Sequence, residues 1–138
     1  MKMKKQKVLF ICTHNSARSQ MAEALLNNLY PGKYQAFSAG TIPGKIDPLV
    51  ISVMSELGID MSRHWSKGLD YFQDETFDYV ITVCDNAKEA CPYFPGGKKR
   101  QHKNFADPSG LEGDFPEAVD KYRTIRDEIK EWITEEFA

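Results

Sequence analysis

The chain has 138 residues, of which 41% are hydrophobic and 28% are charged, and its formal net charge is −2 at pH 7. This length favours a single domain over residues 1–138, and the composition fits a folded globular protein better than a disordered chain. A protein that binds nucleic acid would usually carry a basic excess, which is absent. The apolar run at residues 8–11 is too short for a signal peptide or a membrane span, so we expect a cytoplasmic protein without a membrane partner.

The first half of the chain alternates strand patterns with helical ones. Residues 8–11 are continuously apolar, which is typical of a parallel strand covered on both faces, and residues 34–38 form a second predicted strand. A helix lies between them, and another follows and ends at Gly58. The apolar positions at helical spacing are Met21, Ala22, Leu25, Leu26 and Leu29, and then Leu49, Val50, Val53, Met54 and Leu57.

The second half continues the same alternation. Residues 77–83 predict a third strand, residues 100–105 a weaker fourth, and residues 114–117 resemble a capping box that opens the last helix. Together these elements predict an α/β fold, a three-layer sandwich around a parallel sheet. The core face of the last helix would carry Ala118, Tyr122, Ile125, Ile129, Trp132 and Ile133.

Three chemically active side chains each follow a predicted strand: Cys12, Cys84 and Asp107. Ligands of parallel sheets bind beyond the carboxyl ends of the strands. We therefore expect these three residues to converge at one edge of the sheet, although they are far apart in sequence.

The segment CTHNSAR, residues 12–18, joins the first strand to the first helix. Backbone N–H groups of such a loop and the positive end of the helix together make an anion site. Small residues allow a tight curve, and Arg18 supplies a planar, bidentate partner for a tetrahedral oxyanion. The predicted oxyanion-binding residues are Thr13, His14, Asn15, Ser16, Ala17 and Arg18.

The same positive field favours Cys12 as a thiolate, the nucleophilic form of cysteine. Ser19 is placed to donate a hydrogen bond to that sulfur. The alternative is a buried structural cysteine beside a surface arginine, but the strand before the loop and the helix after it favour the catalytic interpretation.

The segment CTHNSARSQMAE, residues 12–23, resembles the loop of the low-molecular-weight protein tyrosine phosphatases, and more closely that of the thioredoxin-coupled arsenate reductases, which share their fold. The resemblance covers nearly the whole chain and implies a four-stranded parallel sheet flanked by helices. Its further matches are Ser38-Ala39-Gly40, Gly58-Ile59-Asp60, Val83-Cys84, Cys91-Pro92 and Phe105-Ala106-Asp107-Pro108.

Two further cysteines, Cys84 and Cys91, distinguish a reductase from a phosphatase. A phosphatase needs one thiol, whereas a reductase needs two electrons, which a pair of thiols closing to a disulfide can supply. Two ordinary core cysteines are an alternative. A zinc site that adds His102 is another, although the C-x6-C spacing differs from the usual C-x2–4-C, and we expect neither a metal nor a cofactor. A helix over residues 85–90 would hold the two cysteines about 10 Å apart and would have to unwind on oxidation.

The resemblance implies a role for each site residue. Cys12 would attack the arsenic of an arsenate held by the loop amides and Arg18, with Asp107 as the general acid. Cys84 would then attack Cys12, and Cys91 would attack Cys84. A thioredoxin-like partner would reduce the final disulfide.

Two other functions stay open. One is a low-molecular-weight protein tyrosine phosphatase, although Ser109 and Gly110 stand where those enzymes place aromatic residues that hold a tyrosine ring. The other is a redox or oxyanion-binding module without turnover. In each case phosphate or sulfate would mimic the substrate anion, and we expect a monomer.

The sequence departs from the family pattern in two places. His14 replaces a glycine in the loop, where a less common backbone angle could be needed. Asn15, Glu23 and Ser38 match the ligands of a potassium site known in some relatives, but Lys67 stands where an aspartate is expected. A lysine ammonium in the cation's place predicts little dependence on potassium.

Overall fold

The computed structural model describes residues 4–85, 91, 93–108 and 115–138 of the chain. Four parallel strands form one sheet in the order β2-β1-β3-β4. The strands are β1 (Gln6–Cys12), β2 (Tyr34–Gly40), β3 (Phe77–Thr82) and β4 (Gly97–His102). The helices are α1 (Arg18–Leu29), α2 (Pro48–Ser55) and α3 (Phe115–Phe137), and a short 3₁₀ helix spans Leu69–Phe72. The predicted α/β fold with a four-stranded parallel sheet is confirmed.

The central strand β1 is buried on both faces of the sheet. Val8 and Phe10 point into the larger core cluster, which contains the buried residues of α1, α2 and α3. Leu9 and Ile11 point to the opposite face and into a smaller cluster with Phe72, Phe77 and Phe94. Successive side chains of a strand alternate between faces, so a strand covered on both sides has to be apolar throughout.

The fourth strand begins and ends three residues earlier than predicted, at Gly97–His102 instead of residues 100–105. β4 is an edge strand whose side chains are mostly exposed and charged, so it carries no apolar signal. The apolar Phe105, which suggested the later position, lies beyond the strand and packs into the larger core cluster. The predicted capping residue Asp114 lies outside the described residues.

The carboxyl ends of the strands lie at one edge of the sheet. Ile11 pairs with Thr82, and the Val83 amide continues this ladder by donating to the Ile11 carbonyl at 2.9 Å. On the other side, the Lys103 amide donates to the Thr82 carbonyl at 2.9 Å. The residues that follow β1, β3 and β4 are therefore held next to one another.

None of the helices in the described ranges combines the length and apolar character that crossing a membrane requires.

An ion cluster between the end of α2 and α3 consists of Glu56, Arg123 and Arg126. We expect its contribution to the stability of the fold to be lost at acid pH. Hydrogen bonds from Arg123, and then from Arg126, lower the pKa of Glu56 from 4.5 to about 2. A carboxyl whose pKa falls on folding stabilises the fold above its unfolded pKa and loses that contribution as the pH approaches the folded value. In urea unfolding, the stability difference between the native protein and Glu56→Gln should therefore shrink between about pH 4.5 and about pH 2. A difference that does not change over this range would contradict the prediction.

Candidate active site

Cys12 is the last residue of β1 and is buried, with 2% of its surface exposed. Its sulfur lies 2.8 Å from the Ser19 hydroxyl on the first turn of α1. The Asn15 side-chain amide donates to the same hydroxyl oxygen at 2.7 Å. Because that oxygen accepts a hydrogen from Asn15, its own hydrogen is free to point at the sulfur. Ser19 is therefore oriented as a donor that stabilises negative charge on Cys12.

The loop takes its sharpest backbone angle at Asn15, which has a φ of 51° and is the one non-glycine residue in the described ranges with a positive φ. Asparagine tolerates this left-handed region better than most residues. Its side-chain oxygen accepts hydrogen bonds at 2.8 Å from the Lys67 amide and from Gln20 Nε2. The less common backbone angle suggested for His14 is therefore found one residue later, at Asn15. Three hydrogen bonds hold the Asn15 side chain in place.

The loop carbonyls are bonded to neighbours outside the loop. The Thr13 carbonyl accepts from the Ile42 amide at 2.9 Å, the His14 carbonyl from the Ser66 hydroxyl at 3.0 Å, and the Ser16 carbonyl from the Asp47 amide at 3.1 Å. In a trans peptide the N–H points opposite to the C=O. Each N–H group of the three following residues, His14, Asn15 and Ala17, therefore points away from the neighbour that binds the preceding carbonyl. An anion site needs backbone N–H groups that are turned away from such neighbours.

The side chain of His14 is exposed, and its Nδ1 donates to the Ile42 carbonyl at 3.2 Å. Ala17, the N-cap residue of α1, provides no side-chain hydrogen bond to the helix. When no side chain caps a helix, the first backbone N–H groups of the helix can bind a ligand instead.

Gly40, at the end of β2, allows this loop to pack against the sheet. A Cβ atom at Gly40 would lie 2.6 Å from the Thr13 carbonyl oxygen and 2.9 Å from that of Cys12. No side chain fits at such distances, so only glycine lets β2 approach the loop this closely.

Arg18 begins α1 and is also buried, with 2% of its surface exposed. Its Nη1 donates to the Phe105 carbonyl at 3.2 Å, and its Nη2 lies 3.6 Å from Asp107 Oδ2. The guanidinium thus joins the loop after β1 to the segment after β4. Asp107 is thereby held at the same end of the sheet as Cys12, the last residue of β1.

Cys84 and Cys91 are joined by a disulfide, with Cα atoms 6.0 Å apart. Cys84 lies two residues beyond β3, is fully buried and belongs to the same core cluster as Cys12. Cys91 is half-buried. The expected helix over residues 85–90 falls almost entirely outside the described residues, as do Ser109 and Gly110.

His102, which ends β4, lies beside this disulfide. One side-chain ligand atom from each of Cys84, Cys91 and His102 falls within 4.8 Å of the others. The sequence left this set open as an alternative zinc site, which the C-x6-C spacing disfavoured. The structure brings the three side chains together.

The Lys67 ammonium lies among the side chains that match the potassium ligands. Its Nζ donates to the Trp65 carbonyl at 2.7 Å and lies 4.0 Å from Glu23 Oε1, which also accepts from the Ser38 hydroxyl at 2.6 Å. Burial lowers the pKa of Lys67, while the charge of Glu23 acts in the opposite direction. A fixed positive charge therefore already faces the Glu23 carboxylate.

We expect the thermal stability of the native protein to be the same in potassium and sodium salts. Lys67→Ala should lower the free energy of unfolding by about 1–3 kcal/mol, because it leaves the largely buried Glu23 carboxylate without its ammonium. Potassium or ammonium ions should then raise the melting temperature of the variant more than that of the native protein. Lys98→Ala, which removes an exposed lysine, is the matched control. Strong stabilisation of the native protein by potassium over sodium would overturn the prediction.

Comparison with known proteins identifies the family. A model of the low molecular weight phosphotyrosine protein phosphatase family matches residues 7–137. The chain belongs to this family. The fold of the family and the resemblance inferred from the sequence are both confirmed.

Several relatives of the chain within this family are arsenate reductases. The arsenate reductase of Halalkalibacterium halodurans is 37% identical over 127 residues, which cover 92% of this chain and 91% of the relative. A solved arsenate reductase in its oxidised state matches with a TM-score of 0.77 and 29% identity, covering 94% of this chain and 95% of that one. The thioredoxin-dependent arsenate reductase of Corynebacterium glutamicum matches with a TM-score of 0.63 and 30% identity over 98% of this chain and 63% of that one.

Proposed function

We propose that this protein reduces arsenate to arsenite through a relay of three cysteines and is reduced again by a thioredoxin-like protein. Arsenic detoxification would be its role. The observation that carries the proposal is the Cys84–Cys91 disulfide, which lies at the same edge of the sheet as the buried Cys12. A phosphatase needs one thiol and has no use for this additional pair of sulfurs. The arsenate reductases at 37% identity support the same conclusion.

The first step uses the loop and its arginine. The oxygens of arsenate bind to the backbone N–H groups and to Arg18, and the Cys12 thiolate attacks the arsenic. Asp107, 3.6 Å from the Arg18 guanidinium, donates a proton to the departing oxygen, which leaves as water. Ser19 orients and stabilises the thiolate before the attack.

The following steps move two electrons from sulfur to arsenic. The Cys84 thiolate attacks the Cys12 sulfur, so that a Cys12–Cys84 disulfide forms and arsenic leaves as arsenite in the +3 state. Cys91 then attacks Cys84, which frees Cys12 as a thiol and leaves the Cys84–Cys91 disulfide seen in the structure. A dithiol of the thioredoxin type then reduces the Cys84–Cys91 disulfide by thiol–disulfide exchange. Both cysteines return to thiols, and the disulfide is now on the partner.

Thiols that must return to the reduced state after each cycle suit a reducing compartment, so we propose that the protein works in the cytoplasm, as a monomer. The relay needs no cofactor, because the cysteines and the partner dithiol carry all the electrons.

The test is arsenate-dependent NADPH oxidation in the presence of thioredoxin and its reductase, with arsenite measured as the product. The native protein should turn over, whereas Cys91→Ser should make at most about one arsenite per chain, because its last disulfide cannot form. In the same variant, hydrolysis of p-nitrophenyl phosphate should persist, since it needs Cys12 but not Cys91. Absence of arsenate-dependent oxidation together with efficient hydrolysis would instead establish a phosphatase.

A further inference from the structure

We propose that the reduced form of this protein binds a thiophilic divalent metal ion such as Zn²⁺ through Cys84, Cys91 and His102. The three side chains come from the segments after β3 and before β4 and from the end of β4. Their ligand atoms already lie within 4.8 Å of one another in the oxidised protein. The proposed ion occupies the dithiol that the reductase relay uses, but its binding does not depend on that relay.

The geometry suits a zinc site once the disulfide is reduced. Zinc binds thiolate sulfur at about 2.3 Å and histidine nitrogen at about 2.0–2.1 Å, so the ligand atoms of a tetrahedral site lie about 3.3–3.8 Å apart. Reduction breaks the S–S bond and lets the two sulfurs separate to that distance. Two cysteines and one histidine form a donor set that zinc prefers, and the fourth position stays open to water.

The surroundings of His102 suit a ligand. Nδ1 contacts the Thr82 hydroxyl at 2.6 Å, and Nε2 contacts the side-chain oxygen of Asn104. Whichever nitrogen binds the metal, the other keeps a hydrogen-bond partner that fixes the ring, as is usual for histidine ligands. Since His102 is exposed and Cys91 is half-buried, an ion can reach the site from solvent.

Binding of the ion would be linked to the redox state of the protein. Reduction adds two electrons and two protons to the disulfide, and the metal then displaces the two thiol protons without any change in its own charge. In the oxidised protein, Cys84 and Cys91 are joined to each other and offer no thiolate to the ion. An ion held in this way would block attack of Cys84 on Cys12 until a chelator removed it.

The test is titration of the phosphine-reduced protein with Zn²⁺ in competition with a chromophoric zinc indicator. One equivalent should bind tightly to the reduced chain and none to the oxidised one. His102→Gln should weaken binding at least about tenfold, and Cys91→Ser should weaken it further. Cys12→Ser, which also removes one thiol, should leave the affinity unchanged.

Cobalt provides a second measurement that does not rely on affinity. Co²⁺ in the reduced protein should give thiolate-to-metal absorption and a tetrahedral visible spectrum, and His102→Gln should shift the visible bands while the thiolate absorption remains. The proposal is overturned if His102→Gln binds zinc as tightly and with the same cobalt spectrum as the native protein. It is equally overturned if the oxidised chain binds as well as the reduced one, or if Cys12→Ser is as harmful as Cys91→Ser.

Discussion

Replacing Cys12 by serine is expected to abolish arsenate reduction and phosphate-ester hydrolysis together, each by about 10⁴-fold or more. Both reactions begin with attack by the same sulfur, and a serine hydroxyl at this position has no base to activate it. Ser19 donates a hydrogen bond to residue 12 and stabilises a negative charge there, but it cannot take a proton away. The rates are measured in the coupled NADPH assay and with p-nitrophenyl phosphate.

The same variant should still bind phosphate, because the loop amides and Arg18 do not depend on the thiol. Calorimetric titration with phosphate should therefore give a dissociation constant within about threefold of the native one. Cys91→Ser is the matched control, since it also exchanges one thiol for a hydroxyl but should keep hydrolysis intact. Residual reduction by Cys12→Ser at more than a hundredth of the native rate would exclude Cys12 as the nucleophile.

Asp107→Asn is expected to lower the rate of phosphate-ester hydrolysis by about 10²–10⁴-fold for a substrate with a poor leaving group such as phenyl phosphate. Asparagine has nearly the same shape as aspartate but cannot protonate the departing oxygen. With p-nitrophenyl phosphate, whose leaving group needs less protonation, the loss should be at least about tenfold smaller. Arsenate reduction should fall as well, because its departing oxygen leaves as water.

The dependence on leaving group separates a proton donor from a residue that only positions Arg18. Asp107 Oδ2 lies 3.6 Å from Arg18 Nη2, so the substitution also removes a charge next to the guanidinium. A residue that acted through Arg18 alone would change the rates of both esters equally and would alter phosphate affinity. Asp120→Asn, on the exposed face of α3, is the control and should leave both rates unchanged.

Much of the candidate site could be predicted because it lies in one stretch of chain. Cys12, Arg18 and Ser19 are within eight residues of each other on a strand, a loop and the first turn of a helix, and the contact between Cys12 and Ser19 is present at 2.8 Å. The rule that parallel strands end at one edge brought in Cys84 and Asp107 from elsewhere in the chain. The catalytic roles of these residues stay predictions until the variants are measured.

Other features could not be derived from local patterns. The predicted position of β4 was wrong by three residues, because an edge strand rich in lysine and arginine has no apolar face by which the sequence pattern could locate it. The less common backbone angle suggested for His14 lies at Asn15, whose side-chain oxygen accepts hydrogen bonds from Gln20 and from the Lys67 amide. The place of the Lys67 ammonium beside Glu23 was suggested by the family pattern and depends on a segment far along the chain.

Hydrophobic periodicity and loop composition act between residues close together in the chain. Local patterns were therefore enough to predict the succession of strands and helices along the chain and the chemistry of the loop after β1. In contrast, His102 lies beside Cys84 and Cys91, and Arg18 reaches Asp107, because the folded sheet brings distant segments together. Those contacts depend on the order and register of the strands in the sheet. Both are set by the packing of the two faces of the sheet and cannot be inferred from the residue at any single position.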